Sequence, residues 1–504
     1  MESKEVGADD DSTPKIGLAL SGGGFRAAAF HLGVLKRLEE VDLLPHISIV
    51  STVSGGSITG ALYALRCAQQ GDGSPGSYPV EALIEEIRDL VTRNLRGRAL
   101  FGSPRRILRT LSSFVTRRVR RMPLLVEELD RQLFGQASLS SLPDWILINA
   151  TNLATGKCWK FFSDRVGDYF IGATDQVDKI RVAEAVGASA AYPVLTDPYP
   201  FRSRWEYFRS DLLDDRWMRP PQGRSGDISP WRRRHGRREG PLHLPLVDGG
   251  VYDNEGLNGL RSEGVDHAIY SSTAGPTDAY NSGWGRDLKR TVEVMHSRLG
   301  AVTRQHAHEM THGVDPGDAC ERAKEIAAEM RAISDKVSAR DAEMPTERLK
   351  SWAEQLEELS GVGHPPRNAQ YTRIAPILLR KTTVAENKPA SYDPPYSIPP
   401  DNRGLRVPIV RQLARVRTDL DAHAPEVVDL LIAQAYFLTD AHIKIGMRNC
   451  LAEITRADDP LYDISPSWEW AHEVIERANT NEKATIETLG NASKQRLPFG
   501  RSAI

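Results

Sequence analysis

The sequence has few cysteines, no long apolar segment and almost no net charge. No two of its four cysteines are close together; they are Cys67, Cys158, Cys320 and Cys450. This spacing excludes a CxxC zinc or redox motif and a disulfide framework, and it indicates a reducing, cytoplasmic environment. No segment approaches the roughly 20 apolar residues that a membrane-spanning helix needs. The net charge of −2 argues against binding of polyanions over the whole surface. We therefore expect a cytoplasmic protein that meets membranes only peripherally.

The order of sequence patterns predicts an α/β core followed by a helical region. Residues 1–13 are polar and acidic, without the apolar core of a signal peptide, and predict a disordered tail. Between residues 14 and 275, short apolar runs alternate with helical segments, which is typical of an α/β layered sheet. Residues 276–480 predict a mainly helical extension packed on this core, with a strand-like run, RIAPILLR, in a Pro-rich stretch. Residues 481–504 predict a second tail, with a weak helix as the alternative.

Three consecutive glycines, Gly22, Gly23 and Gly24, lie where the first strand pattern meets a helical pattern. A glycine-rich turn of this kind points backbone N–H groups and the positive end of a helix dipole at one place. It can hold a nucleotide phosphate or stabilise an oxyanion. The sequence has neither G-x-G-x-x-G nor the Gly-Lys-Ser/Thr of a P-loop here, which disfavours the phosphate. A tight packing turn without chemistry is the alternative, and the glycines alone do not exclude it.

A second strand-turn-helix pattern places Ser54 directly after the β-branched run ISIVSTV, with Gly55 and Gly56 behind it. This is typical of a nucleophile elbow, in which a sharp turn exposes a serine hydroxyl at a helix N-terminus. The usual pattern is G-x-S-x-G, and Thr52 takes the place of its first glycine. Ser57 is the other candidate, but it lies one turn into the predicted helix, so we favour Ser54. Helix capping by Ser54 is the alternative without chemistry.

The candidate base is Asp248, which ends the apolar run LPLV and precedes Gly249 and Gly250. A serine nucleophile needs a group that takes its proton. A carboxylate at this position is expected at the carboxyl edge of the sheet, where α/β proteins place their sites. None of the 13 histidines lies in an evident strand-end motif, and His243 is the nearest of them in sequence. A hairpin turn is the alternative interpretation of Asp-Gly-Gly.

Taken together, the glycine turn with Arg26, the Ser54 elbow and the Asp248 turn resemble the patatin-like phospholipase family. The similarity covers roughly residues 15–275 and includes the segments NATNLATGKCWKFF and VAEAVGASAAYPVL. The segment RVRTDLDAHAPEVVDLLIAQAYFLTD is similar to the tail of bacterial members. The sequence departs from the family pattern at Thr52 and at Ala27, which replaces a glycine that often follows the arginine.

The resemblance implies a three-layer α/β/α patatin-like fold and a Ser54–Asp248 dyad that works without histidine. It implies hydrolysis of lipid acyl esters, of the phospholipase A or lysophospholipase type, and no cofactor. The oxyanion-hole residues would be Gly22, Gly23, Gly24 and Gly55, and those that shape the elbow and the turn would be Gly56, Gly249 and Gly250. Arg26, in the first helical turn, is expected to face a phospholipid headgroup.

An arginine-rich segment, residues 93–121, contains ten arginines and no acidic residue, with large apolar residues between them. Such a segment can adsorb to an anionic membrane surface. A second basic stretch, residues 229–240, precedes Asp248. Solvated faces, acidic protein partners and nucleic acid are alternatives, and the lack of aromatic-rich nucleic-acid motifs disfavours the last. The predicted partners are therefore a phospholipid or other acyl-ester lipid and a peripheral membrane surface, and not nucleic acid.

One motif indicates a different class of enzyme. HEMTH matches the H-E-x-x-H pattern, in which His308 and His312 bind zinc and Glu309 is the base of a metallopeptidase. Glu325 or Glu329 would supply a third ligand. The surrounding helix pattern is polar and lacks the apolar face of a buried zinc helix, so we expect no metal site. A zinc metallopeptidase and a catalytically silent membrane-binding patatin-like protein are the alternative functions.

Overall fold

The computed structural model of the protein describes residues 14–115, 121–193, 196–213, 217, 240–273, 373–378, 403–416, 420, 422–446 and 464–494. A mixed sheet of ten strands lies at the centre, in the order β10-β9-β1-β2-β3-β4-β5-β6, with β8 paired to β3 and β7 paired to β8. The strands are β1 (Ile16–Leu20), β2 (Ile47–Val53), β3 (Ile146–Asn152), β4 (Lys157–Phe161), β5 (Val166–Asp168), β6 (Gly172–Thr174), β7 (Tyr199–Arg204), β8 (Pro241–Asp248), β9 (His267–Ser272) and β10 (Arg373–Leu378). Neighbouring strands from β10 to β3 are parallel, and the other pairings are antiparallel.

The described helices fall into one group that follows the first strands and one near the C-terminus. They are α1 (Gly24–Glu40), α2 (Gly55–Gln70), α3 (Val80–Thr92), α4 (Leu95–Phe101), α5 (Pro104–Val115), α6 (Met122–Leu129), α7 (Val182–Ser189), α8 (Gly250–Asp253), α9 (Leu257–Ser262), α10 (Val407–Leu413), α11 (Pro425–Gly446), α12 (Glu469–Thr480) and α13 (Glu482–Lys494). Helix α11 packs along α1 and also contacts β10.

The sheet has an apolar cluster on each face, which gives three layers. Side chains of a strand alternate between faces, and in β1 Leu18 and Leu20 join the larger cluster while Ala19 joins the smaller. The larger cluster includes residues of α1, α2 and α11, and the smaller is covered by α9 through Leu257 and Leu260. The β-branched and apolar runs of the sequence therefore form strands that are buried on both faces, as parallel sheets are.

The C-terminal region is joined to the core more closely than the sequence indicated. Strand β10 pairs with β9 and extends the sheet, so the predicted boundary at residue 275 does not separate sheet from extension. Arg37 of α1 is fully buried and forms an ion pair with Asp440 of α11 at 2.6 Å. Of the two interpretations of residues 481–504, the helix applies to residues 482–494, which form α13 with Leu489 fully buried.

Candidate active site

Strand β3 brings the ends of β2 and β8 together. Its pairing with β4 takes up one edge of β3. On the other edge, the last residue of β2, Val53, is opposite Asn149. The last residue of β8, Asp248, is opposite the next residue, Ala150. Because adjacent Cα atoms are about 3.8 Å apart, the two strand ends meet. Ser54, which follows Val53, therefore lies next to Asp248.

Ser54 has the strained backbone of a nucleophile elbow, with φ 51° and ψ −115°. A Cβ atom on Gly55 would lie 2.0 Å from the carbonyl oxygen of Gly24, and one on Gly56 would lie 2.2 Å from that of Leu20. The two glycines therefore let the glycine turn pack directly against the first turn of α2. The Ser54 side chain makes no capping hydrogen bond to α2, which argues against the capping alternative.

The Asp248 carboxylate is buried beside the serine. Its Oδ1 accepts a hydrogen bond from the Gly250 N–H at 2.7 Å. Burial raises the pKa of Asp248 to about 6, although the neighbouring Ser54 side chain and the Gly250 N–H oppose the rise. A carboxyl with this pKa is a better base for a hydroxyl near neutral pH than an ordinary aspartate.

Two other candidates for the base are not placed to act on Ser54. Burial also raises the pKa of Asp253 to about 6. Its two oxygens accept from the backbone N–H groups of Glu255 at 3.0 Å and Asn258 at 2.8 Å, which indicates a structural role at the start of α9. His243 is exposed and precedes Asp248 by five residues in β8, which is about 17 Å along a strand at about 3.4 Å per residue.

Three unused N–H groups surround the elbow. Those of Gly23, Gly24 and Gly55 have no acceptor among the described residues, and they lie at the N-termini of α1 and α2. Gly23 has φ 142° and Gly24 has φ 58°, backbone angles that residues other than glycine rarely adopt. Backbone donors at two helix N-termini, next to a serine and a carboxylate, can stabilise an oxyanion.

Gly22 does not fit its predicted role as an oxyanion donor. Its N–H donates to the carbonyl of Asn254 at 2.9 Å. A Cβ atom at this position would lie 2.5 Å from Asn254 Oδ1 and 3.3 Å from Ser54 Cβ. Gly22 therefore keeps the space beside the nucleophile open, and its N–H is already paired.

The departure from the family pattern at Thr52 is accommodated by the fold. The Thr52 hydroxyl donates to the carbonyl of Leu147 at 3.0 Å. Its methyl group lies 2.5 Å from where a Cβ of Gly60 would be, so the glycine in α2 leaves room for it. Ala27, the other departure, is fully buried. A Cβ atom on Gly23 would lie 3.1 Å from the Ala27 methyl group and one on Gly55 would lie 3.0 Å from it, so the alanine fits because both neighbours are glycine.

The prediction that Arg26 faces a lipid headgroup is wrong. The side chain is buried, and Nη1 donates to the carbonyls of Ala414 at 2.9 Å and Val416 at 2.7 Å. Nη2 donates to the carbonyl of Thr273 at 2.5 Å. Ala414 is the C-cap residue that follows α10, and at this end of a helix the dipole favours a cation. Arg26 therefore attaches the start of α1 to the C-terminal region.

Several arginines of the segment 93–121 have structural partners. Arg106 and Arg98 approach the buried Glu128 at 2.6 and 3.5 Å, together with Arg131 at 2.5 Å. Two more pair with acidic residues elsewhere: Arg93 with Asp89 and Arg121 with Asp197. The segment has no acidic residue of its own, but acidic residues from other parts of the chain pair with these four arginines. Only the remaining arginines could therefore contribute to a basic surface. Residues 116–120, and 229–239 of the second basic stretch, lie outside the described residues.

Ser189 is a site residue that the sequence did not single out. Its Oγ accepts from the Ser54 N–H at 2.9 Å and donates to the Asn149 carbonyl at 2.6 Å. Ser57 Oγ also lies 2.9 Å from it. Ser189 ends α7, within a segment that resembles the family, but no spacing or motif links it to an elbow 135 residues away.

The zinc alternative cannot be placed on this fold, because His308, Glu309 and His312 lie outside the described residues. In the described ranges, no group of three or more His, Cys, Asp or Glu residues is arranged to hold a metal ion. None of the described helices combines the length and the apolar character that crossing a membrane requires.

Comparisons with known proteins agree with the geometry. The family model described as patatin-like phospholipase matches residues 18–260. This match confirms the predicted resemblance and the patatin-like α/β/α fold class, to which the helical C-terminal region is added. A comparison with curated proteins gives no match.

Similar solved structures share little sequence identity with the chain. Human GIVD cytosolic phospholipase A2 is 13% identical, with 97% of this chain and 61% of that chain covered and a TM-score of 0.40. VipD from Legionella pneumophila is 12% identical, with 96% and 94% covered and a TM-score of 0.25. ExoU from Pseudomonas aeruginosa, solved in complex with SpcU, is 15% identical, with 96% and 91% covered and a TM-score of 0.20. The chain thus spans less than two thirds of the length of the human enzyme.

Proposed function

Because residues 18–260 match the family model of the patatin-like phospholipases, we propose that the chain hydrolyses acyl esters of lipids, as a phospholipase A or lysophospholipase. Ser54 is the nucleophile and Asp248 is the base. The observation that carries the proposal is the register of β2 and β8 on β3, which places Ser54, on its strained elbow, next to the buried Asp248 carboxylate. Asp248 is therefore the described carboxylate that is best placed to take the proton of the Ser54 hydroxyl.

The proposed reaction has two steps. Asp248 accepts the Ser54 proton as Oγ attacks the ester carbonyl, and the negative charge of the tetrahedral intermediate is stabilised by the free N–H groups of Gly23, Gly24 and Gly55. The intermediate collapses to an acyl-serine, and the leaving alcohol takes the proton from Asp248. Water then attacks the acyl-serine with Asp248 again as base, which releases the fatty acid and restores the serine. Loss of one oxyanion donor typically lowers the rate by about 10²–10³.

A fatty-acid release assay on phospholipid and lysophospholipid vesicles tests the proposal. We expect Ser54→Ala to remove release from every substrate that the wild type hydrolyses. Ser57→Ala should keep the nucleophile and retain activity, reduced because Ser57 contacts Ser189. Release by Ser54→Ala at the wild-type rate, or a folded wild type without release from any substrate, would contradict it.

We further propose that α4 and α5 bind an anionic membrane surface. Of the four large apolar side chains that are exposed in the described part of the chain, three lie there: Phe101, Ile107 and Leu108, the last 70% exposed. Arg105 is exposed beside them. We call these four residues the α4–α5 surface. Exposed apolar side chains beside an arginine suit the boundary between anionic headgroups and acyl chains. Helix α6 packs on α4 and on α7, whose last residue, Ser189, contacts Ser54.

Vesicle sedimentation with phosphatidylglycerol-containing and pure phosphatidylcholine vesicles tests the α4–α5 surface. We expect Ile107→Ser/Leu108→Ser to weaken binding to both, because it removes the apolar contact. Arg105→Gln should weaken binding to anionic vesicles alone, by about fivefold, since one basic residue contributes about 1 kcal/mol.

The matched control for this test is Ile464→Ser, which changes another exposed apolar residue, 40% exposed. It should bind like the wild type, and none of the variants should change the hydrolysis of a soluble short-chain ester. Unchanged vesicle binding in the double variant would show that the α4–α5 surface does not contact the membrane.

A further inference from the structure

The carbonyl oxygen of Gly22 is held by two hydroxyl groups beneath the glycine turn. Thr273 Oγ1 donates to it at 3.0 Å and Ser21 Oγ at 3.2 Å. The Gly22 N–H is held as well, by the Asn254 carbonyl at 2.9 Å. The peptide between Gly22 and Gly23 therefore has a fixed orientation, although glycines form both its ends.

The other polar group of that peptide is the Gly23 N–H, one of the proposed oxyanion donors. In a trans peptide the C=O and the N–H point in opposite directions. Hydrogen bonds that hold the Gly22 oxygen toward Thr273 therefore turn the Gly23 N–H away from Thr273. The proximity is direct, because a Cβ atom on Gly23 would lie 2.3 Å from Thr273 Oγ1.

Glycine makes such a restraint necessary. Gly23 and Gly24 have positive φ angles, and glycine populates many backbone conformations at similar energy. If the peptide rotated, it would present a carbonyl oxygen where the N–H should be, and the oxyanion would meet a negative partial charge. Ordering this peptide before the substrate binds is the preorganisation on which electrostatic stabilisation depends.

Thr273 is itself rigidly placed. It follows the end of β9 and is fully buried. Its N–H donates to Ser21 Oγ at 3.2 Å, and its carbonyl accepts from Arg26 Nη2 at 2.5 Å. The hydroxyl that holds Gly22 is thus attached to the sheet on one side and to the Arg26 anchor on the other.

His31 supports the same turn from α1. Its Nε2 lies 2.9 Å from the Ser21 carbonyl, and its Nδ1 lies 2.8 Å from Ser271 Oγ. Because a carbonyl only accepts, Nε2 carries the proton and Nδ1 accepts from the Ser271 hydroxyl. Burial lowers the pKa of His31 to about 4, so the ring is neutral near pH 7 and keeps both hydrogen bonds.

We propose that Thr273 is a positioning residue for the oxyanion hole: its hydroxyl fixes the Gly22–Gly23 peptide so that the Gly23 N–H is presented to the reacting ester. This inference rests on the proposed ester hydrolysis. It assigns a role in the reaction to a residue that follows the sheet strand β9, more than 200 residues after the elbow, and that does not touch the substrate.

Steady-state kinetics on a soluble p-nitrophenyl ester test the proposal. We expect Thr273→Val, which keeps the shape of the side chain and removes the hydroxyl, to lower kcat by about 10- to 100-fold. The loss should be smaller than that for complete removal of an oxyanion donor, because the Ser21 hydroxyl still donates to the Gly22 carbonyl. KM should change by less than about twofold, since a ground-state carbonyl gains little from the hole. Thr273→Ser keeps the hydroxyl and should recover most of the wild-type kcat.

Thr439→Val is the matched control. Thr439 is also fully buried, and its hydroxyl donates to a backbone carbonyl, that of Ala435 at 2.7 Å within α11. It should leave kcat within about twofold of the wild type. A kcat of Thr273→Val equal to that of Thr439→Val would overturn the proposal, as would a failure of Thr273→Ser to recover activity in a folded protein.

A second variant covers the case in which Thr273→Val does not fold. Ser21→Ala removes the other hydroxyl on the Gly22 oxygen, so it should also lower kcat at constant KM, and an unchanged kcat would overturn the proposal. A wild type that folds but hydrolyses no ester overturns both this proposal and the proposed function. Normal hydrolysis by the wild type and by both hydroxyl variants overturns the positioning role alone.

Discussion

At the scale of single residues, the site combines two features that reduce stability. Ser54 has a positive φ without being glycine, and Asp248 is a buried carboxyl that makes no ion pair in the described structure. Strained backbone and buried acids are both typical of functional sites. Both features were partly predictable, because strand-end motifs marked Ser54 and Asp248. That the two residues lie next to each other was not predictable, because it depends on the register of β2 and β8 along β3.

With Asp248 as the proposed base, we expect the activity to have a defined pH dependence. The base must be ionised, so kcat/KM on a soluble ester should rise about tenfold per pH unit below about pH 6 and level off above it. A pH profile whose acid limb lies near 4, the ordinary range of aspartate, would contradict a buried base.

The same carboxyl should lower stability as the pH rises. Its pKa is about 6 when folded and 3.8 when exposed, so the folded state binds more protons between these values and loses stability as the pH rises through them. Above pH 6 the cost is about 3 kcal/mol, at about 1.36 kcal/mol per pKa unit. Asp248→Asn should therefore be inactive but more stable than the wild type at pH 7.5, by up to this amount, and the gain should vanish below pH 4.

Chemical denaturation of wild type and Asp248→Asn at both pH values checks this expectation. Asp253 titrates in both proteins, so its contribution cancels in the difference. An asparagine variant that is less stable than the wild type at pH 7.5 would show that ionised Asp248 stabilises the fold.

At the scale of secondary-structure elements, α1 joins the site to the C-terminal region. Its N-terminus carries two of the three proposed glycine donors, Gly23 and Gly24, and is held by Arg26 to the end of α10. Its last turns are held by the buried pair of Arg37 and Asp440. The sequence predicted α1 and its glycine turn correctly because both are local patterns. It could not predict the role of Arg26, because the carbonyls that the side chain binds lie 388 and 390 residues away.

An anchoring role for Arg26 predicts a loss of stability that does not depend on the substrate. Arg26→Ala leaves three buried carbonyls without their charged donor, which should cost about 2–5 kcal/mol of unfolding free energy. Activity of the remaining folded protein should fall by the same factor for phospholipids and for esters without a headgroup.

Unfolding midpoints and paired assays on the two substrate classes check the anchoring role. Arg202→Ala, at an exposed position in β7, is the matched control and should change stability by less than about 0.5 kcal/mol. A stable Arg26→Ala protein that loses activity on phospholipids alone would restore the headgroup role.

At the scale of the whole molecule, the α/β core and the C-terminal region share one sheet and one hydrophobic core. Alternating strand and helix patterns predicted the layered sheet, and helical patterns predicted the extension. The sequence did not show that β10 extends the sheet or that α11 covers α1, because these contacts join parts of the chain that are far apart in sequence. It showed ten arginines in residues 93–121, but no local pattern indicated that the buried Glu128 of α6 binds two of them.

The measurement that tests the central claim most directly is mass-spectrometric mapping of a fluorophosphonate adduct on the full chain. Such a probe reacts with a serine that a neighbouring base activates, and its phosphoryl oxygen takes the place of the oxyanion. A Ser54–Asp248 dyad predicts stoichiometric modification of the peptide that contains Ser54 in the wild type. It predicts none in Ser54→Ala and at least about 100-fold slower modification in Asp248→Asn. An adduct on another serine, or modification of Asp248→Asn at the wild-type rate, would contradict the dyad.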